Sequence, residues 1–206
     1  EIRLTYIAQF DRHEHDRLTT FFYRNGRQID GTVGRITYSS PHSRWMTSTA
    51  AHNCIVIDGE DAKTHRSRLV AYDPSPEAPA AAVVTDDATP LYEGVRQVRA
   101  VALLDDCYVV FDRVTCDRPR TIDRYQWGRG NAMLRPAGSK LAADPPDLPS
   151  RGAFSNVVGG PCGRELRIEF ANGLAMRLVS DGDMQAYKAI SIGGYQANPM
   201  EVTFAR

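Results

Sequence analysis

Apolar and polar residues alternate along most of the chain with a period of two, and no long segment keeps a helical period. After two strands near the N-terminus, the pattern predicts strands over Asn53 to Ile57, Arg68 to Tyr72, Ala81 to Thr85, Val95 to Leu104, Cys107 to Thr115 and Thr121 to Trp127. Later runs predict strands at Arg164 to Phe170, Leu174 to Ser180, Ala186 to Ile192 and Glu201 to Ala205. Turn chemistry places hairpins at Asn25-Gly26, Asp105-Asp106 and Asn172-Gly173. Residues Arg135 to Pro161, with Pro145-Pro146 and Gly159-Gly160-Pro161, read as a long surface loop. So many short strands predict an all-β fold, two antiparallel sheets packed face to face as a sandwich in a single domain over 1–206.

Composition narrows the class. At 206 residues and 42% hydrophobic content, the chain can bury one sizeable core. Its 25 basic and 25 acidic residues balance, which argues against a general nucleic-acid binder. No apolar run approaches the roughly 18 residues of a membrane span, and the first ten residues do not read as a signal peptide. The opening residues fall directly into a strand pattern, as expected of a piece of a longer protein. Cys54, Cys107, Cys116 and Cys162 lack metal-binding spacing and read mainly as buried free thiols, with one disulfide left open.

The candidate chemistry lies between Asp11 and Glu60, which holds four of the five histidines. His13 and His15 stand two apart in a segment with strand character, which would put both imidazoles on one face. The Asn25-Gly26 turn would fold Asp30 back beside them, and His52 opens an apolar strand. Two histidines and a carboxylate from three strands suit zinc; the same residues also suit a hydrogen-bonded cluster that ties strands together. Arg44 could grip a carboxylate with two prongs and Trp45 offers a stacking face. His42 and His65 have no motif around them and read as surface histidines. Asn53 is expected to secure the strand by backbone hydrogen bonds, and Asp58-Gly59 to form a turn. Arg99 and Arg124 are strand arginines whose facing the pattern leaves open.

These residues also carry a family likeness. The His-x-His-Asp-x-Leu run at 13–18, the Phe-Tyr-x-x-Gly run at 22–26 and the block from Tyr38 through Ala-His-Asn to Asp58-Gly59 resemble the β-sheet domain of the heparinase II/III-like polysaccharide lyases, alginate and oligoalginate lyases included. Weaker likeness continues to Trp127. Two departures stand out: His15 abuts Asp16 where the family usually has one more residue, and the segment after Asp30 reads Gly-Thr-Val-Gly.

The resemblance implies a structural zinc on His15, Asp30 and His52. It implies that His13 neutralises a uronate carboxylate or moves a proton, and that Tyr38 touches the sugar at the cleavage point. It further implies an upstream helical toroid domain and β-elimination on an acidic, uronate-containing polysaccharide; the location stays unknown, with periplasmic or secreted ranked before cytoplasmic. A non-catalytic carbohydrate-binding or structural β-sandwich module fits the same fold.

Overall fold

The computed structural model describes residues 2–4, 15–30, 32–34, 37, 39–40, 42–63, 67–85, 90–105, 107–128, 132–136, 142–143, 154–170, 173–191 and 200–206. Among them the strands form three antiparallel sheets. A small sheet joins β1 (Ile2–Leu4), β2 (Thr20–Arg24) and β3 (Arg27–Gln28). A four-stranded meander runs β5 (Ser67–Asp73), β6 (Ala80–Thr85), β7 (Val95–Leu103) and β8 (Tyr108–Cys116). The largest sheet, of seven strands, contains β4 (Ile55–Ile57), β9 (Ile122–Trp127), β10 (Ala132–Pro136), β11 (Ala142–Ala143), β12 (Phe154–Phe170), β13 (Ala175–Ser191) and β14 (Met200–Ala205). The all-β sandwich expected from the pattern is borne out.

The three hairpins fall where turn chemistry put them. Asn25 and Gly26 both take positive φ (50° and 73°), and Arg24 pairs with Arg27 across them. Leu103 pairs with Tyr108, and Glu169 with Ala175, around the other two turns. Asp106 and Asn172 themselves lie outside the described residues.

Three expectations need correction. His15 is not in a strand: it precedes a tight turn closed by the Thr19 amide donating to the Asp16 carbonyl at 3.0 Å, and β2 starts only at Thr20. His52 does not open a strand either. It ends a 3-10 turn over Thr49–Ala51, which follows a one-turn helix, α1 (Ser43–Met46). Finally, the expected loop of 135–161 holds β10, β11 and the start of β12. Proline is tolerated in β12 because β10 and β11 pair with it at 166–170 and 158–159, and Pro161 falls between them beside a register shift, where its missing N–H leaves no ladder bond broken.

Alternation then assigns the faces. Tyr125 and Trp127 of β9 enter the core formed with Met46, Ala50, Ala51, Val202 and Phe204, so α1 and the 3-10 turn cap that side of the large sheet. On the opposite face Ile55 and Ile57 of β4 pack with Val83, Leu91 and Val95 of the meander. Gly128 bridges Asp30, and a Cβ there would fall 2.1 Å from Phe170 Cε1, so only glycine permits this approach.

Candidate functional site

The turn at 15–19 and the 3-10 turn meet through backbone groups. The His15 amide donates to the Thr47 carbonyl at 2.9 Å, and its Nδ1–H donates to the Ala62 carbonyl. The His52 Nδ1–H donates to the Ser48 carbonyl at 2.8 Å, and the residue is 4% exposed. Thr49 joins the two neighbourhoods, since its Oγ1 accepts the Ala62 amide at 2.8 Å. A carbonyl partner requires the proton on Nδ1, which makes Nε2 the acceptor nitrogen of both rings. Metal-binding histidines are commonly oriented in this way.

Asp30 is fully buried and accepts three hydrogen bonds. The Phe22 amide reaches Oδ1 at 2.6 Å, while the Tyr108 hydroxyl and Gln126 Nε2 reach Oδ2 at 2.5 and 3.1 Å. Burial raises its carboxyl above the ordinary range, against the lowering effect of these donors. Burial also raises the Tyr108 phenol, and the Asp30 charge adds to that. Two carboxylate oxygens with three donors retain little free acceptor capacity. Among the described residues, no three His, Cys, Asp or Glu side chains are grouped so that they could hold a metal ion.

A second cluster shares β8 and β9, with Asp112 four residues from Tyr108 and Arg124 two from Gln126, and adds Arg99 of β7. Arg99, 1% exposed, holds Asp112 through Nε and Nη2 at 2.5 and 2.8 Å. Its Nη1 donates to the Leu18 carbonyl and, at 2.7 Å, to that of Asn53. Arg124 Nε adds a bond to Asp112 at 3.2 Å. Burial alone would push the Asp112 carboxyl up, but the two guanidinium groups outweigh it and hold it below the ordinary range. Burial and the facing Arg99 charge lower Arg124. Cys54 is buried beside this cluster, and burial pushes its thiol up to about 12, which leaves it inert.

The remaining candidates divide. Arg44 is exposed on α1. Trp45 turns inward: its ring meets Phe154 edge-on at 5.0 Å, and its Nε1–H donates to Ser191 Oγ at 3.0 Å. His42 is exposed. His13, Tyr38 and His65 lie outside the described residues. Asn53 ties strands as expected: its amide donates to Thr19 Oγ1, its Nδ2 to the Thr20 carbonyl, and its Oδ1 accepts the Trp127 amide at 2.6 Å. Asp58 and Gly59 form their turn with positive φ. All four cysteines are free; Cys54 and Cys162 are buried, whereas Cys107 is exposed and Cys116 half-buried.

Tyr108, Asp112 and Gln126 escaped the motif reading. Their signal was present in the alternation, because Tyr108 and Asp112 share one face of β8, and Arg124 and Gln126 share one face of β9.

No protein-family model and no curated protein match the chain. Solved structures do. A heparinase III superposes with a TM-score of 0.64 at 17% identity, over 98% of this chain and 29% of its own. A mutant of the heparan sulfate lyase HepC from Pedobacter heparinus gives 0.64 at 12% identity, over 94% of this chain and 28% of its own. The wild-type HepC gives 0.61 at 13% identity. The chain therefore spans less than a third of the length of the structures it matches, and it shares with them the fold of that portion. The likeness read from the motifs is borne out at that level.

Proposed function

We propose that this chain is the β-sandwich portion of a polysaccharide lyase that cleaves an acidic, uronate-containing glycan by β-elimination. The observation that carries the reading is the superposition of nearly the whole chain on heparinase III structures, in agreement with motifs read from the sequence independently of any structure. β-Elimination removes the C5 proton beside a uronate carboxylate, and that proton becomes acidic only where nearby donors stabilise the developing charge. His13 and Tyr38 take these roles at the substrate, one toward the carboxylate and the other at the scissile position, with Arg44 as a further carboxylate contact. The remaining groups come from an upstream helical toroid, so this chain alone is expected to show little turnover.

Zinc on His15, Asp30 and His52 is a second element of the reading. The Nδ1 anchors of both histidines support it, and the three donors on Asp30 weigh against that residue. Bound there, zinc would serve to fix the 15–19 turn against the 3-10 turn. Elemental analysis after chelator-free purification checks it: about one equivalent is expected, and less than about a tenth ends the zinc element while leaving the lyase reading in place.

The lyase test follows ultraviolet absorbance of the unsaturated product with the full-length protein on heparan sulfate, alginate, hyaluronan and chondroitin sulfate. Loss of turnover on His13→Ala and Tyr38→Phe with folding intact is the expected result. Robust turnover by this chain alone would overturn the two-domain account. A carbohydrate-binding module is the second reading: Trp45 packs inward, while Tyr72 and Phe111 are exposed on the meander.

A further inference from the structure

A cleft of about 490 Å³ lies between the inner face of β8 and the large sheet, on the side away from α1. One wall is aliphatic by register: Leu166 pairs with Leu178 and Ile168 with Met176 on one face of the β12–β13 hairpin, where Leu166 and Ile168 are packed into the core and half-buried Leu174, Met176 and Leu178 present the open surface. Facing them are Val110 and Phe22, whose ring stacks on Tyr108 at 4.4 Å.

The polar groups that line the cleft are already engaged. Tyr108 and Gln126 donate to Asp30, and Arg124 is tied to Asp112 and to the Tyr125 carbonyl. At the rim Arg177 is held by Glu165 through two bonds, at 2.8 and 2.7 Å. Arg24, also on the rim, is exposed and has no charged partner among the described residues.

We propose that this cleft binds a free single-chain amphiphile: an unbranched alkyl tail along Leu174, Met176 and Leu178, ending in a carboxylate at Arg24. The volume falls within the range of small-molecule sites, roughly 300 to 1,000 Å³. Protein interiors are otherwise close-packed, so an aliphatic opening of this size between two sheets is a place for an apolar guest. A sugar is the wrong guest, since it needs unspent donors and acceptors along its length and the aliphatic wall offers none. The carboxylate end follows from Arg24, the rim cation without a partner. The inference is independent of the lyase reading.

The test titrates the full-length protein with the fluorescent acid dansylaminoundecanoate. Saturable binding of one molecule per chain is expected, displaced by dodecanoate. Dodecanol should compete about tenfold less well, and Arg24→Ala should remove that preference. Leu178→Trp, which fills the cleft, should abolish binding. Should that variant fail to fold, the methyl resonance of Met176 in ¹³C-methyl-methionine-labelled wild type must move during the dodecanoate titration. Absence of saturable binding, equal competition by the alcohol, binding retained by folded Leu178→Trp, or a Met176 signal unmoved at saturation each overturns the proposal. A response to anionic vesicles without one to the free acid does the same.

Discussion

Asp30 is wholly buried and Asp112 keeps a fifth of its side chain exposed, and the two regions settle these carboxylates in opposite ways. Asp30 meets only neutral donors, a backbone amide, a phenol and a carboxamide, and its carboxyl is raised. Asp112 meets two guanidinium groups and is lowered. The same pair of strands builds both, for β8 supplies Tyr108 and Asp112 while β9 supplies Gln126 and Arg124. Burial pushes both carboxyls up, so the charge of the neighbours decides the outcome. This bears on function. Asp112 already has its cations, whereas Asp30 faces none at bonding distance but spends its oxygens on three neutral donors, which is the competition zinc would have to meet there.

The largest test of the contrast is Arg99→Met. It removes the two-pronged partner of Asp112 and strips a donor from the Leu18 and Asn53 carbonyls. Breaking a buried ion pair from one side is worth about 3–5 kcal/mol, and a urea titration should register that loss. Arg124→Met should lose less, because Arg124 gives Asp112 one bond at 3.2 Å and its own charge is disfavoured by burial and by Arg99. Equal losses would show the cluster to be shared rather than centred on Arg99.

Tyr108→Phe comes next. It deletes one neutral donor from Asp30, which keeps the Phe22 amide and Gln126, so the expected loss is about 1–2 kcal/mol. This variant also sharpens the zinc proposal, because fewer competing donors on Asp30 should slow the loss of zinc to a chelator. A stability loss as large as that of Arg99→Met would break the contrast, since neutral and charged partners would then carry equal weight.

Local rules made the strands, the three hairpins and the ties of Asn53 legible in the sequence. Asn25-Gly26 is decisive on its own, because few other pairs accept two positive φ values. What escaped depended on distant partners. His15 reads as a strand residue because it stands two from His13 just ahead of a strand-like run, yet the chain turns at Leu18, which adopts a positive φ of 63° that sequence gives no reason to expect. The segment through Gly159-Gly160-Pro161 looked like a loop because composition reports breakers; only the neighbouring strands decide whether a breaker falls on a paired edge. The Arg99 cluster spans Leu18, Asn53, Asp112 and Arg124, which no local window contains, although alternation already set Asp112 and Arg124 on definite faces.

The smallest expected effect is the response of stability to acid, and it follows from sign. The Asp112 carboxyl is lowered in the folded chain, so its contribution is complete above the ordinary carboxylate range and is lost as pH falls through the lowered folded value. Asp30 runs the other way: its raised carboxyl contributes fully below the ordinary value, and that contribution is lost as pH rises through the raised folded value. In the wild type the two limbs occupy adjoining windows: as pH falls the Asp30 contribution returns above the ordinary carboxylate value, and the Asp112 contribution is lost below it. Asp112→Asn removes one limb. Urea titrations from neutral pH downward, with chelator present, should therefore show the stability difference between wild type and Asp112→Asn shrinking as pH falls. A difference that stays constant would mean that Asp112 takes up its proton equally in the folded and unfolded chain, and the two carboxylates would no longer differ in what their neighbours do to them.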